Sequence, residues 1–453
     1  MQPLPKEFEE QMKRLLGEAG FFAYLDALNQ PYTRALRVNL LLRPDGTPPC
    51  PIEGLGAPVP WAKGAYFVEG DARPGLSPLH EGGLFYMQEP SALAAVTALD
   101  PQPGERVLDL CAAPGGKSTQ IAALMAGRGL LCCNEPIPSR AQILSRNIER
   151  MGVRNAVVLS AMPDALAPRF PAFFDRILVD APCSGEGMFR RQPEARDEWD
   201  ADAPRRCADR QMEILTQAAK MLRPGGTMVY STCTFNDTEN EGVLRRFLAL
   251  HPEFSLVPFA LPGLPEAKDG YLHLYPHEMR GEGHFVSRLK KADGADEADA
   301  PVQAAPQRKA PARAAAKGKA PAPIALPDVF SDAFAPERLY TAGDALWMLP
   351  EGISIERLSG LRVLRTGLLL AHAEGKRSEP DHALAMALRP EEAARTASLT
   401  QTQALAYQAG ETLSLGDLPG GYTLLCCEGV SLGWGKQAGG LMKNHYPKGL
   451  RRR

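Results

Sequence analysis

The sequence lacks the cysteine spacings of a zinc site or a disulfide framework. Its nine cysteines are an odd number, and none of them forms a CxxC pair. The doublets Cys132–Cys133 and Cys426–Cys427 lie in apolar, strand-like runs, where a thiol packs as a small hydrophobic side chain. These features argue against a metal site and against a disulfide-stabilised secreted domain.

The chain also lacks a long apolar run, a targeting segment and a strong net charge. Its amino terminus, MQPLPKEFEE, has no basic start followed by an apolar stretch, and no charge-free run reaches membrane-spanning length. We therefore expect a soluble cytoplasmic protein with no membrane partner. Because the formal net charge is only -2, a polyanionic partner would have to be bound by local basic patches.

What the chain does contain is enough for several domains, since 453 residues exceed what one hydrophobic core accommodates. Residues 292–323 are almost entirely Ala, Pro, Lys, Arg and short polar residues, which predicts a disordered linker. The linker separates an N-terminal module over residues 1–80 and an α/β domain over residues 81–291 from an α+β region over residues 324–453. That last region has a small β-rich end.

The N-terminal module is predicted to be α+β. Phe8, Met12 and Leu15 fall on one face at helical spacing, and Gly17 is the predicted end of this helix. The segments TRALRVNLLLRP and GAYFVEG are predicted strands.

From about residue 81 the chain alternates strand, loop and helix. The predicted strands lie in ERVLDL, GLLCCN, AVVLS, FDRILVDAP and GGTMVYSTCTF. This alternation predicts a parallel sheet covered by helices on both faces. Ligands of such sheets bind outside the carboxyl ends of the strands, so the segments that follow the strands are the candidates for a site.

The first of these segments is the glycine-rich turn DLCAAPGGKST. Gly115 and Gly116 let the backbone approach a ligand closely and lead into the positive end of a helix. The letters GKS, together with Asp180 after an apolar strand, also suggest a P-loop NTPase. That motif needs a glycine where this chain has Cys111, so the phosphate-binding alternative is disfavoured.

Carboxylates follow the next two strands. Glu135 stands twenty positions after Gly115 (135 − 115), the spacing at which a nucleoside site uses a carboxylate to accept hydrogen bonds from ribose hydroxyls. Asp164 follows the third strand, where an adenine amino group could donate to it. Lys117 either orients the cofactor or the catalytic loop, or lies on the solvent face of its helix.

Two cysteines, Cys183 in DAPCSG and Cys233 in YSTCTF, each follow a predicted strand of this sheet. Two thiols beside one pocket suit a reaction in which a ring is attacked and later released. Six arginines follow Cys183, with two aromatic residues among them: Arg190, Arg191, Arg196, Arg205, Arg206 and Arg210, with Phe189 and Trp199. Such a set either contacts phosphates and unpaired bases or forms a solvated helix face.

The segments DLCAAPGGKST, LVDAPCSGEGMFRRQPEA, GGTMVYSTCTFNDTENEGVL and the terminal GWGKQAGGLMKNHYPKGLR resemble the Sun family of RNA cytosine-C5 methyltransferases, of the bacterial RsmF type. FYMQEPSA is similar to the family's segment that leads into the catalytic domain. The resemblance covers nearly the whole chain outside the linker. It implies an RNA-binding N-terminal module, a Rossmann-like methyltransferase domain and a PUA-like RNA-binding end, where Lys443, Lys448 and Arg451 to Arg453 are available to phosphates. His445 and Tyr446 are expected to be structural or RNA-packing groups and not catalysts.

The resemblance also implies a cofactor and a set of site residues. S-adenosylmethionine is expected to be bound by Cys111, Ala112, Ala113, Pro114, Gly115, Gly116, Lys117, Glu135, Asp164 and Asp180. Cys233 is implied to be the nucleophile that adds to carbon 6 of cytosine, which activates carbon 5 for methylation. Cys183 is implied to act in product release, as or with a base. Asp180 is the third implied catalytic residue, and if protonated it could donate to ring N3.

The expected activity is S-adenosylmethionine-dependent formation of 5-methylcytosine in small-subunit (16S) ribosomal RNA, free or in an assembling subunit. A transfer RNA target is the alternative within the class. A P-loop NTPase and a non-catalytic RNA-binding scaffold are the alternatives from other classes. The first is opposed by Cys111, and the second by the presence of both Cys183 and Cys233.

Overall fold

The computed structural model describes residues 4–294, 324, 329, 336–374 and 377–452. Most of the predicted linker, residues 295–323, lies outside the described residues. The described part contains an N-terminal sheet, a central α/β sheet and two further sheets that follow the linker. The limits given above for the four regions stay predictions.

The N-terminal module combines one long helix with a four-stranded antiparallel sheet of order β2-β3-β1-β4. Its elements are α1 (Lys6–Leu28), β1 (Arg34–Val38), β2 (Leu55–Pro58), β3 (Ala65–Val68), α2 (Pro78–Glu81) and β4 (Phe85–Gln88). Gly17, with φ 69° and ψ 172°, is not helical, so the first helical segment stops there as predicted, and a second segment follows after a kink. The helix continues because Phe21 and Tyr24 are buried in the same apolar cluster as Phe8.

The central domain is built on a nine-stranded sheet. Its elements before the linker are α3 (Leu93–Leu99), β5 (Arg106–Asp109), α4 (Gly116–Leu124), β6 (Leu130–Asn134), α5 (Pro138–Arg150), β7 (Ala156–Leu159), α6 (Pro163–Leu166), β8 (Phe174–Asp180), α7 (Glu194–Glu198), α8 (Ala203–Met221), β9 (Leu222–Thr232), α9 (Glu241–Leu250), β10 (Phe254–Leu256), β11 (Tyr271–Leu274) and β12 (His284–Lys291). Strands β5 to β9 are parallel in the order β9-β8-β5-β6-β7.

The parallel strands are buried on both faces, as predicted. Val107 and Cys133 pack into one hydrophobic cluster, whereas Leu108 and Cys132 pack into another, because successive side chains of a strand point to opposite faces. The strand order reverses at β5, whose neighbours are β6 and β8. This topology opens a crevice at the carboxyl ends of β5 and β8, where ligands bind in such sheets.

Two four-stranded sheets follow the linker, with orders β13-β14-β16-β17 and β18-β19-β20-β21. The elements are β13 (Leu339–Ala342), β14 (Ala345–Met348), α10 (Ile355–Leu358), β15 (Val363–Arg365), β16 (Leu368–Glu374), β17 (Arg377–Pro380), α11 (His382–Ala387), β18 (Thr396–Ser398), α12 (Gln401–Ala409), β19 (Gly421–Cys427), β20 (Val430–Ala438) and β21 (Leu441–Asn444). Over the described ranges, no helix is long and apolar enough to cross a membrane.

Strand β15 extends the central sheet although it lies beyond the linker. It runs antiparallel to β7, and the backbone N–H of Ser160 donates to the carbonyl of Arg362 at 2.9 Å. Arg365, at the end of β15, forms an ion pair with Glu149 on α5. The chain thereby returns to the catalytic domain and covers the edge strand β7.

The N-terminal module and the last region share one hydrophobic core. Leu36 of β1 and Tyr407 of α12 are fully buried in the same cluster. Arg452 donates to the backbone carbonyls of Leu76 at 2.6 Å and Ser77 at 3.0 Å. The structure thus packs the end of the chain against its N-terminal module, a placement for which the sequence offered no signal.

Candidate active site

The glycine-rich loop between β5 and α4 is held from behind by helix α5. Arg140 donates to the carbonyl of Ala113 at 3.2 Å, and Asn147 donates to that of Pro114 at 2.9 Å. Gly115 has a φ of 112°, in the left-handed region, and a Cβ at this position would lie 3.4 Å from the Cβ of Asn147. Glycine is favoured here both by the backbone conformation and by the close approach of α5.

A pocket of about 400 Å³ opens between this loop, β4 and the ends of β8 and β9. Six of the seven predicted loop residues line it, all except Gly115, and so do Asp180 and Cys233. The other lining residues are Tyr86, Met87, Gln88, Glu89, Ala92, Met188, Arg191, Gly283 and His284. The fold therefore brings the predicted cofactor loop and two of the three predicted catalytic residues to one cavity.

Asp180, at the end of β8, is surrounded by three polar groups. Its Oδ2 accepts a hydrogen bond from Lys117 Nζ at 2.8 Å, and its Oδ1 accepts one from Ser231 Oγ at 2.8 Å. The Nε2 of His284 lies 3.3 Å from the same Oδ1. Burial alone would raise the pKa of this carboxyl, but Lys117 and His284 outweigh burial and hold the pKa well below its usual value. Asp180 is therefore ionised at neutral pH, which argues against a protonated Asp180 that donates to ring N3.

The solvent-face alternative for Lys117 is wrong, because its side chain is largely buried beside Asp180. Burial would lower the pKa of this amine, but the charge of Asp180 and the hydrogen bond to it raise the pKa above the ordinary value. Lys117 is therefore a fixed cation in the wall of the pocket. It has the position and the charge of an orienting group.

Cys183 and Cys233, the two predicted catalytic cysteines, lie in the loops that follow β8 and β9, and their side chains are in contact. The Sγ atoms of Cys183 and Cys233 are 3.3 Å apart. The hydrogen bond with Cys233, together with burial, raises the pKa of the Cys183 thiol well above its ordinary value. Cys183 is thus a thiol that donates to, or shares a proton with, the sulfur of Cys233, while Cys233 itself lines the pocket.

A buried polar network fixes the two cysteine loops to each other. Ser184, next to Cys183, donates its backbone N–H to Glu239 Oε2 at 3.0 Å, and its Oγ lies 2.9 Å from Thr234 Oγ1. Glu239 also accepts from Asn236 Nδ2 and Gln211 Nε2, both at 2.8 Å. Sequence reasoning missed these residues. The only available signal was the run of polar residues TFNDTENE after a buried strand, where a solvated loop was equally plausible.

The two predicted nucleoside carboxylates lie at the expected strand ends, but neither lines the pocket. Glu135 follows β6 and is only 2% exposed, since its Oε1 accepts from the backbone of Ile137 at 3.0 Å and its Oε2 lies 3.3 Å from Arg140. Asp164 is exposed in α6, immediately after β7. Their assignments to ribose and adenine stay predictions.

The structure separates the arginines that follow Cys183 into different environments. Arg191 lines the pocket. Arg190 forms a buried ion pair with Glu282 at 2.7 Å, and Arg206 forms an exposed one with Asp200 at 2.6 Å. Arg190 is therefore not part of a solvated helix face, because its guanidinium is buried in the wall of the site.

His284 and Arg191 are the functional candidates that sequence reasoning did not assign to the site. His284 begins β12, which pairs antiparallel with β9 and so brings the imidazole next to the end of β8. An antiparallel strand that arrives some fifty residues after Cys233 leaves no local pattern to detect. In the part of the chain that the structure describes, no group of three His, Cys, Asp or Glu side chains could hold a metal ion.

Comparison with known proteins matches every described region of the chain. The family described as 16S rRNA methyltransferase RsmB/F matches residues 96–290. Families described as the N-terminal domain, the first C-terminal domain and the PUA domain of RsmF match residues 4–90, 327–388 and 394–452.

Curated relatives extend this match over the full length. Ribosomal RNA small subunit methyltransferase F of Erwinia tasmaniensis is 34% identical, with 98% of this chain and 96% of the relative covered. The protein of the same name from Escherichia coli O127:H6 is 33% identical over the same shares of the two chains. The chain belongs to the RsmF family.

Solved structures agree with this assignment to the RsmF family. A methyltransferase homologue from Pyrococcus horikoshii is 30% identical with a TM-score of 0.54, covering 63% of this chain and 95% of that one. NSun6 from Pyrococcus horikoshii with SFG has a TM-score of 0.57 at 24% identity, covering 64% of this chain and 99% of that one, and shows the shared fold. The predicted family, the Rossmann-like fold with a PUA-like end, and the prediction of an RNA methyltransferase are confirmed.

Proposed function

We propose that this RsmF-family protein transfers a methyl group from S-adenosylmethionine to carbon 5 of a cytosine in the 16S RNA of the small ribosomal subunit. One observation carries the proposal: the sulfurs of Cys183 and Cys233 lie 3.3 Å apart beside a pocket that the glycine-rich loop also lines. The names of the curated relatives support the RNA target. They favour ribosomal RNA over the transfer RNA alternative.

The shape of the loop fits a nucleoside cofactor. A Cβ at Gly116 would lie 3.2 Å from Tyr86 Cε1 and 3.4 Å from the amide carbon of Gln88, so a side chain here would crowd the β4 wall of the pocket. Cys111 to Lys117 would hold the cofactor, with the N-terminus of α4 nearby and Glu135 behind the next strand end. When bound, S-adenosylmethionine supplies an electrophilic methyl group on its sulfonium.

Cys233 is proposed to lose its thiol proton to solvent and to add as the thiolate to carbon 6 of the cytosine ring. The new bond moves an electron pair toward carbon 5, which then acts as the carbon nucleophile that accepts the methyl group. Cys183 lies within hydrogen-bonding distance of the attacking sulfur and can hold it in place until the bond forms. Lys117, a cation in the wall of the pocket, can balance negative charge that develops on the ring.

The ionised Asp180 is proposed to select cytosine. A carboxylate accepts hydrogen bonds but does not donate them, so it pairs with the 4-amino group of cytosine and repels the 4-oxo group of uracil. Ser231 and His284 both contact Oδ1, whereas Oδ2 accepts only from Lys117, so Oδ2 is the oxygen that keeps a lone pair for the amino group. In double-stranded RNA, the cytosine ring is stacked between its neighbouring bases. The cytosine therefore has to be unpaired, or flipped out of the stack, to enter the pocket.

Cys183 is proposed to act in release. The proton on carbon 5 must leave, its bonding electron pair must re-form the ring double bond, and the carbon–sulfur bond must break with its electrons returned to Cys233. Cys183 is next to that sulfur and first gives its own proton to solvent. Because its pKa is raised, the resulting thiolate is a strong base that takes the proton from carbon 5 and so returns to the thiol form. This assignment gives the two thiols different roles at one reaction centre.

Methyl transfer to purified RNA tests the function directly. The full chain is incubated with methyl-labelled S-adenosylmethionine and either small ribosomal subunits, free 16S RNA or bulk transfer RNA that carry no prior modification. We expect label in the 16S RNA, and bisulfite sequencing should place it on carbon 5 of a cytosine. Label confined to transfer RNA would favour the alternative substrate, and label at any other base atom would contradict the proposed chemistry.

A further inference from the structure

A second cavity, of about 520 Å³, lies between the end of α1 and the segment that follows the Cys183 loop. It is lined by Leu28, Gln30, Pro31, Tyr32, Arg190, Pro193 and Arg196. Nothing in the proposed reaction uses this cavity. Its walls are mainly apolar, with one aromatic ring and two guanidinium groups, and the Tyr32 side chain is 47% exposed.

The second cavity and the catalytic pocket share one dividing wall. Met188 and Arg191 line the catalytic pocket, whereas Arg190, between them, lines the second cavity. On the other side of the wall, Gly283 and His284 line the catalytic pocket, and they directly follow Glu282, the partner of Arg190. The second cavity is therefore separated from a base in the catalytic pocket only by this wall.

Hydrogen bonds fix this wall in position. Arg190 donates to both carboxylate oxygens of Glu282, at 2.7 Å and 2.8 Å, and to the carbonyl of Ala27 at 2.7 Å. Glu282 also accepts from the backbone N–H of Thr33 at 2.8 Å, next to Tyr32. Because the same carboxylate fixes Arg190 and the backbone next to Tyr32, the wall and the segment that carries the aromatic ring are held together before any ligand arrives.

We propose that the second cavity binds the unpaired base of a nucleotide that flanks the target cytosine, stacked on Tyr32. Proteins recognise unpaired RNA by stacking its bases on aromatic rings, and in this cavity the exposed ring is that of Tyr32, whereas the guanidinium of Arg190 is occupied by Glu282. The inference rests on the proposed function, because it assigns the neighbour of the cytosine that enters the catalytic pocket. It gives the enzyme a contact outside the target base through which sequence context is read.

The test uses short single-stranded RNAs that contain the target cytosine, after bisulfite sequencing of the 16S RNA has located it. Each RNA carries either the natural base or an abasic nucleotide on the 5′ or the 3′ side of that cytosine. Methylation by the wild-type chain is compared with Tyr32→Ala, with Tyr32→Phe, which keeps the ring, and with Phe22→Ala. Phe22 is a matched control because it is also an exposed aromatic residue, 62% exposed, and does not line either cavity.

We expect Tyr32→Ala to raise the KM for the natural RNA about tenfold with less than a twofold change in kcat. Tyr32→Phe and Phe22→Ala should both keep the wild-type KM. With the wild-type chain, the KM for one of the two abasic RNAs should be raised by about the same factor. On that RNA, Tyr32→Ala should raise the KM no further. Unchanged binding of S-adenosylmethionine and an unchanged Tm would show that the variant is folded.

Two results would overturn the inference. One is an unchanged KM for Tyr32→Ala on natural RNA, and the other is an equal loss for this variant on the natural and on both abasic RNAs. Either result would leave the proposed function standing, as long as the wild-type chain methylates the cytosine. Failure of the wild-type chain to methylate any RNA cytosine would instead refute the proposed function, and this inference with it.

Discussion

The central sheet carries two pairs of cysteines, and their positions set them apart. Cys132 and Cys133 lie inside β6, are fully inaccessible, and have pKa values raised by burial. Cys183 and Cys233 follow the ends of β8 and β9, and their sulfurs meet beside the pocket. The same residue type therefore packs in the core in the middle of a strand, whereas just beyond a strand end it lies beside the pocket, where we propose that it is catalytic.

Cys233→Ala should give the largest effect, because it removes the atom that is proposed to bond to the ring. We expect turnover to fall by about 10³-fold or more, with S-adenosylmethionine binding within a factor of about two of wild type. Single-turnover methylation and calorimetry with the cofactor measure the two quantities. If the variant still methylates RNA, Cys233 is not the nucleophile, and the proposed functional difference between the two cysteine pairs is wrong.

Cys183→Ala should arrest the reaction after methyl transfer. Because the proposed release group is lost while Cys233 remains, a covalent protein–RNA adduct should accumulate and run as a shifted band on a denaturing gel. We expect turnover to fall by about 10²-fold. The matched control is Cys133→Ala, which should give no adduct. The absence of a shifted band with Cys183→Ala would contradict the release role.

The two carboxylates at neighbouring strand ends extend the comparison. Asp109 ends β5 with no exposed surface, and burial raises its pKa to about 7, although it accepts a hydrogen bond from Ser118 Oγ at 2.6 Å. Among the described residues, its Oδ1 has no hydrogen-bond partner. Asp180, beside Lys117, is held ionised instead. Burial without a cation and burial with one therefore shift the pKa values of two similar groups in opposite directions.

Asp109→Asn should remove a pH dependence of stability. The pKa of Asp109 is higher in the folded than in the unfolded state, so its contribution is full below about pH 4 and is lost as pH rises to about 7. Relative to Asp109→Asn, the free energy of unfolding of the wild type should therefore fall over that window, by at most about 4 kcal/mol. Urea unfolding of both proteins between pH 4.5 and 8 measures the difference. Parallel curves for the two proteins would contradict the raised pKa.

Cys132→Ala should have the smallest effect and should act on stability alone. Removing a buried sulfur leaves a small cavity, which costs about 1 kcal/mol in the free energy of unfolding. The kcat for methylation should stay within a factor of about two, since the side chain contacts the core and not the pocket. Chemical denaturation and initial rates check the two statements. A large fall in kcat without loss of stability would contradict the claim that a cysteine inside a strand acts only in packing.

The sequence could predict the parts of the site that follow strands of the parallel sheet. The glycine-rich turn, Asp180 and both cysteines that we propose to be catalytic lie directly after apolar runs, and parallel strands bring their carboxyl ends to one edge. The main-chain positions of Glu135 and Asp164 followed from the same rule. The rule could not predict whether their side chains face the cofactor, because side-chain direction depends on neighbours such as Arg140.

The unpredicted features all depend on contacts between distant parts of the chain. His284 reaches Asp180 through an antiparallel strand, and Glu282 fixes Arg190 from the loop before that strand. Strand β15 carries only three residues and pairs with β7 across some two hundred positions. Segments this short have no periodicity of their own, so tertiary packing and not local pattern decides their structure.

The position of β15 has a practical consequence. The residues after the linker complete the central sheet at one edge, and the final residues pack into the core of the N-terminal module at another. Two separate non-covalent interfaces thus join the halves of the chain on either side of residues 295–323. A protein expressed as two fragments, cut within that stretch, should reassemble into one enzyme, which makes this chain a natural scaffold for a split methyltransferase whose activity reports that two fused partners have met.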